Sequence, residues 1–311
     1  MTRVCVVVNP RAGSGSAGKR LGELDRGLRQ LGIEYEILCT ERRGHASELA
    51  RQARERGCSV LGVLGGDGTL NEVVQAYVDA SGALLAGPPI ALLPSGTGGD
   101  FARSCAFSAA GLGAMLERLR ARQVRALDLG LLQLHDAAGR PFWRAFINVA
   151  SAGISGDVDQ RVERGPKWLG GKWAFLLATL GATLSYRNVP IEIEIDGQDW
   201  HQGPVLLVAI ANGQFMGGGM RVAPGADWSD GLLDVVSVGD LSRPQFLTSF
   251  PKVYRGTHLS LEAVRVQQGR RVTLRAVRAE QPILVDVDGE TPGYLPLRAH
   301  VLPRALELVV D

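Results

Sequence analysis

Lysine is scarce in this chain. Of 34 basic residues only Lys19, Lys167, Lys172 and Lys252 are lysines. A phosphate clamp therefore has to rely mainly on arginine, backbone amides or a metal ion. The four cysteines (Cys5, Cys39, Cys58, Cys105) are scattered, with no C-x-x-C pair. That spacing excludes the usual zinc and dithiol arrangements and reads as a reducing, cytosolic context with buried thiols. Neither charge sign dominates: the net charge is +2. There is no basic stripe of the kind nucleic-acid binding needs. No apolar run approaches the roughly 18 residues that span a bilayer. The apolar run in "MTRVCVVVNP" is too short for a signal peptide. The five histidines (45, 135, 201, 258, 300) are scattered and suggest no chemistry. There is no internal repeat and no low-complexity linker.

What is present is a globular composition, 45% hydrophobic and 21% charged over 311 residues, with two different rhythms. Residues 1–127 alternate apolar strands with helical patterns. "RVCVVVN", "IEYEILCT", "SVLGVLG" and "PIALLPSG" read as strands. Leu21, Leu24, Leu28 and Leu31 share a helical face, as do Leu70, Val73, Val74 and Tyr77. Strand–helix alternation with uniformly apolar strands predicts a parallel sheet covered on both faces. Residues 128–301 instead carry short alternating strands separated by turn residues, which predicts an antiparallel sandwich-like domain. A helix pair is predicted to interrupt it at 165–188. The final "RALELVV", within 302–311, either closes the second domain or returns to the first sheet.

Three glycine-rich loops follow predicted strands and precede predicted helices: "NPRAGSGSAGKR", "GGDGT" and "LPSGTGGDFAR". In a parallel sheet such loops share the edge where ligands bind, and amides at the helix starts attract phosphate. In the first loop Gly13, Gly15 and Gly18 match G-x-G-x-x-G. The tetrapeptide Asn9-Pro10-Arg11-Ala12 misplaces the first glycine for a dinucleotide fold, and Arg20 stands where a P-loop needs Ser or Thr. The other two loops each add an aspartate and a threonine: Asp67 and Thr69, Asp100 and Thr97. Asp or Thr at such a junction also caps a helix.

These segments, with "NEV" after GGDGT, "DLG" at 128–130, "NVASAGISGDV" at 148–158, "ADWSDGLLDV" at 226–235 and "VDGE" at 287–290, resemble the diacylglycerol kinase catalytic-domain family. That family of lipid kinases includes soluble bacterial diacylglycerol kinases and phosphatidylglycerol-kinase-like proteins, and relatives among the sphingosine and ceramide kinases. The resemblance covers nearly the whole chain in order. GGDGT alone is shared with NAD kinases; the full series is specific.

The resemblance implies an ATP- and Mg²⁺-dependent enzyme moving the γ-phosphoryl group to a lipid hydroxyl. It implies nucleotide contacts from Asn9, Pro10, Gly13, Thr40, Gly65, Gly66, Asp67, Gly68, Thr69, Asn71, Glu72, Gly96 and Thr97. Asp67, Asp100 and Asp128 fall on its acidic network around a catalytic magnesium. Asp227, Asp230 and the Leu232 carbonyl fall on a second, structural magnesium site. Oxygen ligands of this kind suit a hard cation. Glu290 is the favoured proton acceptor, with Asp288 next and Asp67 the choice if the chain works like a sphingosine kinase. A lipid hydroxyl needs such a positioned base. The acceptor is expected between the two domains. The implied partners are a lipid substrate and a transient membrane contact, for which the Trp- and Lys-flanked 165–188 stretch is the candidate. The expected location is the cytoplasm or the membrane periphery, and pairing of two copies is left open. An NAD kinase-like activity, a non-catalytic nucleotide or lipid sensor and a Rossmann oxidoreductase are the competing readings. The acidic residues that a sensor could dispense with are present.

Overall fold

The computed structural model describes residues 3–94, 99–107, 111–164, 178–179, 181–182, 186, 188–277 and 282–310. The predicted helix pair at 165–188 lies mostly outside them. The chain divides into two compact units, Met1–Asp128 with Arg304–Asp311, and Leu129–Pro303.

The first unit is the α/β part. Its strands are β1 (Arg3–Val8), β2 (Glu34–Cys39), β3 (Val60–Gly65) and β4 (Ile90–Pro94). They pair in parallel in the order β2-β1-β3-β4. The end of the last strand, β15 (Glu290–Val310), adds to β4 in parallel, with Leu308 opposite Ile90. "RALELVV" thus returns to the first sheet. β1 and β3 are buried almost throughout, as a sheet covered on both faces requires. Leu24 and Leu28 of α2 (Leu21–Gln30) and Met115, Leu116 and Leu119 of α6 (Leu112–Ala121) pack with Val4, Val6, Val8 and Leu64 in one core. α3 (His45–Glu55) buries Leu49, Ala50 and Ala53. α4 (Asp67–Val74) and α5 (Asp100–Ser104) complete the unit.

One local expectation fails. The first glycine-rich loop is shorter than predicted, because Ala12–Lys19 is helical (α1). The helix is irregular: Gly13 and Gly15 have φ of 58° and 86°, a left-handed conformation that glycine adopts without a Cβ penalty. Three glycines and two serines in eight residues hid this helix from a propensity reading.

The second unit is antiparallel. β7 (Val149–Gly153) pairs with β10 (Leu207–Ala211) and β14 (Leu284–Val287); β10 continues to β11 (Leu233–Val238) and β12 (Val264–Gly269). β15 pairs with β14 and then with β13 (Arg271–Ala276), which continues to β8 (Val189–Ile195) and β9 (Gln198–Val205). β5 (Gln123–His135) pairs with β6 (Pro141–Phe146) and with β15. Ile191, Ile193, Ile195, Val272, Leu274, Val285 and Leu297 are among the side chains of its buried core. Two helices were not predicted from sequence, α7 (Ile154–Arg164) and α8 (Arg243–Arg255). α8 carries legible end signals. Gln245 Oε1 accepts from Ser242 N at 3.0 Å and from Ser242 Oγ at 2.7 Å, and Gly256 closes the helix at φ 70°.

Candidate active site

In the first unit the motif residues gather where β1 and β3 end. The Asn9 amide N–H donates to Leu64 O at 3.0 Å, tying the β1 exit to β3. Asn9 Nδ2 donates to Thr69 Oγ1 at 3.2 Å, and Asn9 Oδ1 accepts from Arg11 N at 3.1 Å. Thr40 N donates to Val8 O at 2.8 Å, which brings the β2 exit alongside. Pro10 O accepts from Gly18 N, and the left-handed Gly13 sits within α1.

Asp67 opens α4 but serves α5. Its Oδ2 accepts from Asp100 N at 2.7 Å and its Oδ1 from Phe101 N at 3.2 Å. A carboxylate is well placed at two amides of a helix start. Burial of the carboxyl group outweighs those bonds and raises it above the usual carboxylate range. The glycines follow from this closeness. A Cβ on Gly99 would stand 2.5 Å from Asp67 Oδ1, and one on Gly65 would stand 2.5 Å from Thr69 Oγ1. At Gly66 and Gly68 a Cβ would meet nothing within 4 Å, so those positions leave open space beside the backbone.

The neighbouring acids are already engaged. Asp100 is buried and pairs with Arg103 one helical turn on. Asp128, fully buried, accepts from Arg304 N at 2.7 Å. Glu72 accepts from Gly44 N at 2.9 Å and Ala46 N at 3.0 Å, where α3 begins. Asn71 is buried in α4. Gly96 and Thr97 lie outside the described residues.

The second unit holds the remaining motifs. Asp288 sits in the turn after β14 with φ 51°. Its Oδ2 accepts from Ile147 N at 2.9 Å, and its Oδ1 accepts from Asn148 N at 3.1 Å and Val149 N at 2.9 Å. Glu290, two residues on, is met by Arg144 Nη2 at 2.8 Å. Asp286 of β14 is buried, accepts from Gly289 N at 2.8 Å and from Ser151 Oγ at 3.1 Å, and so shapes the same turn. Asp227 Oδ1 accepts from Ser229 N and Oγ, and Asp230 Oδ1 accepts from Leu232 N at 2.9 Å. Asp234, three residues beyond Gly231, is pushed above the usual carboxylate range, first by burial and further by the Asp230 charge.

Among the described residues no group of three or more His, Cys, Asp or Glu side chains converges as a metal centre. Asp227, Asp230 and the Leu232 carbonyl are oxygen donors of the kind a hard cation takes.

Arg103, Arg144 and Asp286 are the participants that sequence reasoning missed. Arg103 was within reach, since it lies three residues after Asp100 in "GGDFAR" and so on the same helix face. Arg144 and Glu290 are joined only by folding, and no local pattern connects them.

An α/β unit with glycine-walled loops at its strand ends, and an antiparallel unit inserted before its last strand, define the fold shared by diacylglycerol kinases and NAD kinases. The diacylglycerol kinase catalytic domain family matches residues 3–132. The YegS C-terminal NAD kinase beta sandwich-like domain family matches residues 148–310. "Diacylglycerol kinase" of Mycobacterium tuberculosis (strain ATCC 25618 / H37Rv) is 28% identical over 310 residues, covering 99% of this chain and 94% of the relative. "Probable lipid kinase YegS-like" of Xanthomonas euvesicatoria pv. vesicatoria (strain 85-10) is 32% identical over 282 residues, covering 90% and 88%. A diacylglycerol kinase crystal structure from Bacillus anthracis str. Sterne shares the fold with a TM-score of 0.74 at 21% identity, covering 100% of this chain and 97% of that one. An NAD kinase from Archaeoglobus fulgidus, solved with ATP, shares it more distantly, at 0.54 and 13% identity, covering 100% and 94%. The chain belongs to the diacylglycerol kinase family of lipid kinases and is a phosphotransferase with an alcohol acceptor.

Proposed function

We propose that this enzyme transfers the γ-phosphoryl group of ATP, with Mg²⁺, to the hydroxyl of diacylglycerol or a closely related lipid. The observation that carries this reading is the junction of Asn9, Asp67 and Thr69 at the exits of β1 and β3, with Gly65 and Gly99 pressed against Thr69 and Asp67. Side chains larger than hydrogen are excluded there, and open space remains beside Gly66 and Gly68. Phosphate oxygens can then approach backbone N–H groups closely.

Pro10, Gly13, Thr40, Gly65 through Thr69, Asn71, Glu72, Gly96 and Thr97 complete the proposed nucleotide site around Asn9. Glu72 acts there by fixing the start of α3, and Asp67 by fixing the start of α5. Asp67, Asp100 and Asp128 are the proposed acidic network for the catalytic Mg²⁺, and Asp227, Asp230 and the Leu232 carbonyl the proposed structural site. Bound with the nucleotide, the ion would supply charge neutralisation at the transferred phosphoryl group.

Glu290 is the proposed proton acceptor. Asp288 has its oxygens spread over three successive amides, a holding role, whereas Glu290 meets the Arg144 guanidinium. Proton removal by a positioned carboxylate contributes about 10²- to 10⁴-fold. A lipid acceptor brings the enzyme into transient contact with a membrane surface from the cytoplasm.

The test is transfer of radiolabelled phosphate from ATP and Mg²⁺ to micellar lipids and, in a parallel reaction, to NAD, by the wild type, Asp67→Ala and Glu290→Ala. Label on diacylglycerol that falls at least ~100-fold in Glu290→Ala supports the reading. Label on no lipid, with label appearing on NAD instead, would replace it with the NAD kinase reading.

A further inference from the structure

The outward face of the second unit's sheet carries a cavity that none of the proposed site residues lines. It opens where β15 exchanges partners. Up to Tyr294 that strand pairs with β14, and from Leu297 it pairs with β13. Side chains alternate across a strand. Leu297 and Ala299 of β15 and Val272 and Leu274 of β13 are in the core, so Pro296, Arg298, Thr273 and Arg275 share the other face. The register sets Thr273 directly opposite Arg298.

The cavity holds about 350 Å³. Most of its wall is apolar, with Pro141 and Pro296 contributing rings, and its polar groups are Gln133, His135, Thr273, Arg275 and Arg298. Among the described residues no carboxylate lines it. Arg275 Nη1 lies 3.3 Å from Glu194 Oε2; the arginine is exposed and the glutamate half-buried, and pairs so open to solvent are weak. Arg298 has no ion-pair partner among the described residues. His135 Nδ1 lies 3.0 Å from the Pro296 carbonyl oxygen. A carbonyl only accepts, so Nδ1 carries the hydrogen and Nε2 is left for a second partner.

Two guanidinium groups line one cavity, and Arg275 has only the Glu194 carboxylate as an ion-pair partner among the described residues. Each offers about five N–H donors in a planar fork suited to oxyanions. With the Thr273 hydroxyl, the donors exceed what the two oxygens of a carboxylate can use and match the three or four of a phosphate. The apolar wall adds a surface for a carbon skeleton.

We propose that this cavity binds the phosphate group of a small phosphate ester, dissolved or displayed as a lipid headgroup, with Arg275 and Arg298 holding its oxygens. The site stands apart from the kinase reading and does not depend on it.

The test uses the full chain and two probes. Dissolved sn-glycerol 3-phosphate is titrated calorimetrically, and vesicles of phosphatidylglycerol in phosphatidylcholine are sedimented with the protein against vesicles of phosphatidylcholine alone. Arg298→Gln and Arg275→Gln are each expected to weaken binding about tenfold, and the pair roughly 100-fold. Arg298→Lys keeps the charge but loses the fork, and is expected to weaken binding several-fold. Arg51→Gln/Arg120→Gln, the same charge change at exposed positions of the first unit, is expected to leave it unchanged. Urea unfolding of every variant checks that the fold is kept. An effect on the dissolved probe alone assigns the cavity to free phosphate esters; an effect on phosphatidylglycerol vesicles alone assigns it to a headgroup. The proposal is overturned if wild type binds neither probe, if the Arg275/Arg298 pair binds both as wild type does, or if the control pair weakens binding equally.

Discussion

Asp67 shows how one side chain can serve two purposes. Its carboxyl group holds the first two amides of α5, and it stands at the proposed nucleotide site. Because burial raises its affinity for a proton, the folded state binds that proton more tightly than the unfolded chain does. Its contribution is therefore fully present at acid pH and is lost as pH rises from about 4 through the raised folded value. Asp67→Asn removes that slope. Urea unfolding between about pH 4 and pH 7 should show the stability of the variant gaining on the wild type as pH rises. A wild-type minus variant difference that stays flat would mean the carboxyl group is not held in a dehydrated state. The sequence placed Asp67 in a glycine-rich turn, but which amides it faces was not legible. Those amides lie more than thirty residues away, and their approach is set by the pairing of β3 with β4.

At the scale of elements, GGDGT and GGD are two halves of one contact. Gly99 gives way to Asp67, and Gly65 gives way to Thr69. Gly99→Ala has to push its new methyl into the Asp67 carboxylate, and neither backbone nor carboxylate has slack to yield. The expected loss is about 1–3 kcal/mol in urea unfolding, accompanied by weaker ATP binding. Gly66→Ala, with nothing within 4 Å of its Cβ, should leave stability nearly unchanged and so separates packing from ligand effects. The parallel and antiparallel strands were legible because their residues alternate or run apolar in step with burial. α1 was hidden by glycine's poor helix propensity, and its form depends on two left-handed residues. α8 was hidden for the opposite reason. Its capping residues stand in the sequence, but the stretch between the neighbouring strands drew no assignment, and Pro251 lies inside the helix.

At the scale of the molecule, the first unit is discontinuous. Leu308 is fully buried and pairs with β4, although the whole second unit intervenes in sequence. Leu308→Asp places a charge in that core without a partner. Such changes cost about 3–5 kcal/mol, so the variant should be cleaved in the first unit by dilute protease while wild type resists. Equal resistance would show that the last strand is dispensable to the first sheet. The sequence left this return open because a short apolar run such as "RALELVV" fits either sheet, and only pairing decides.

The order in which a ribosome makes residues is not the order in which this sheet is assembled. β1 to β4 emerge early, and β4 then waits with one edge unpaired while all of Leu129–Pro303 is synthesised. An unpaired edge is open to wrong partners. A message cut short between Arg103 and Leu308 yields a product bearing every glycine-rich loop but lacking the segment that completes their sheet. The cell thus receives a finished first unit only when translation has run through the second, so the two parts of the enzyme arrive together.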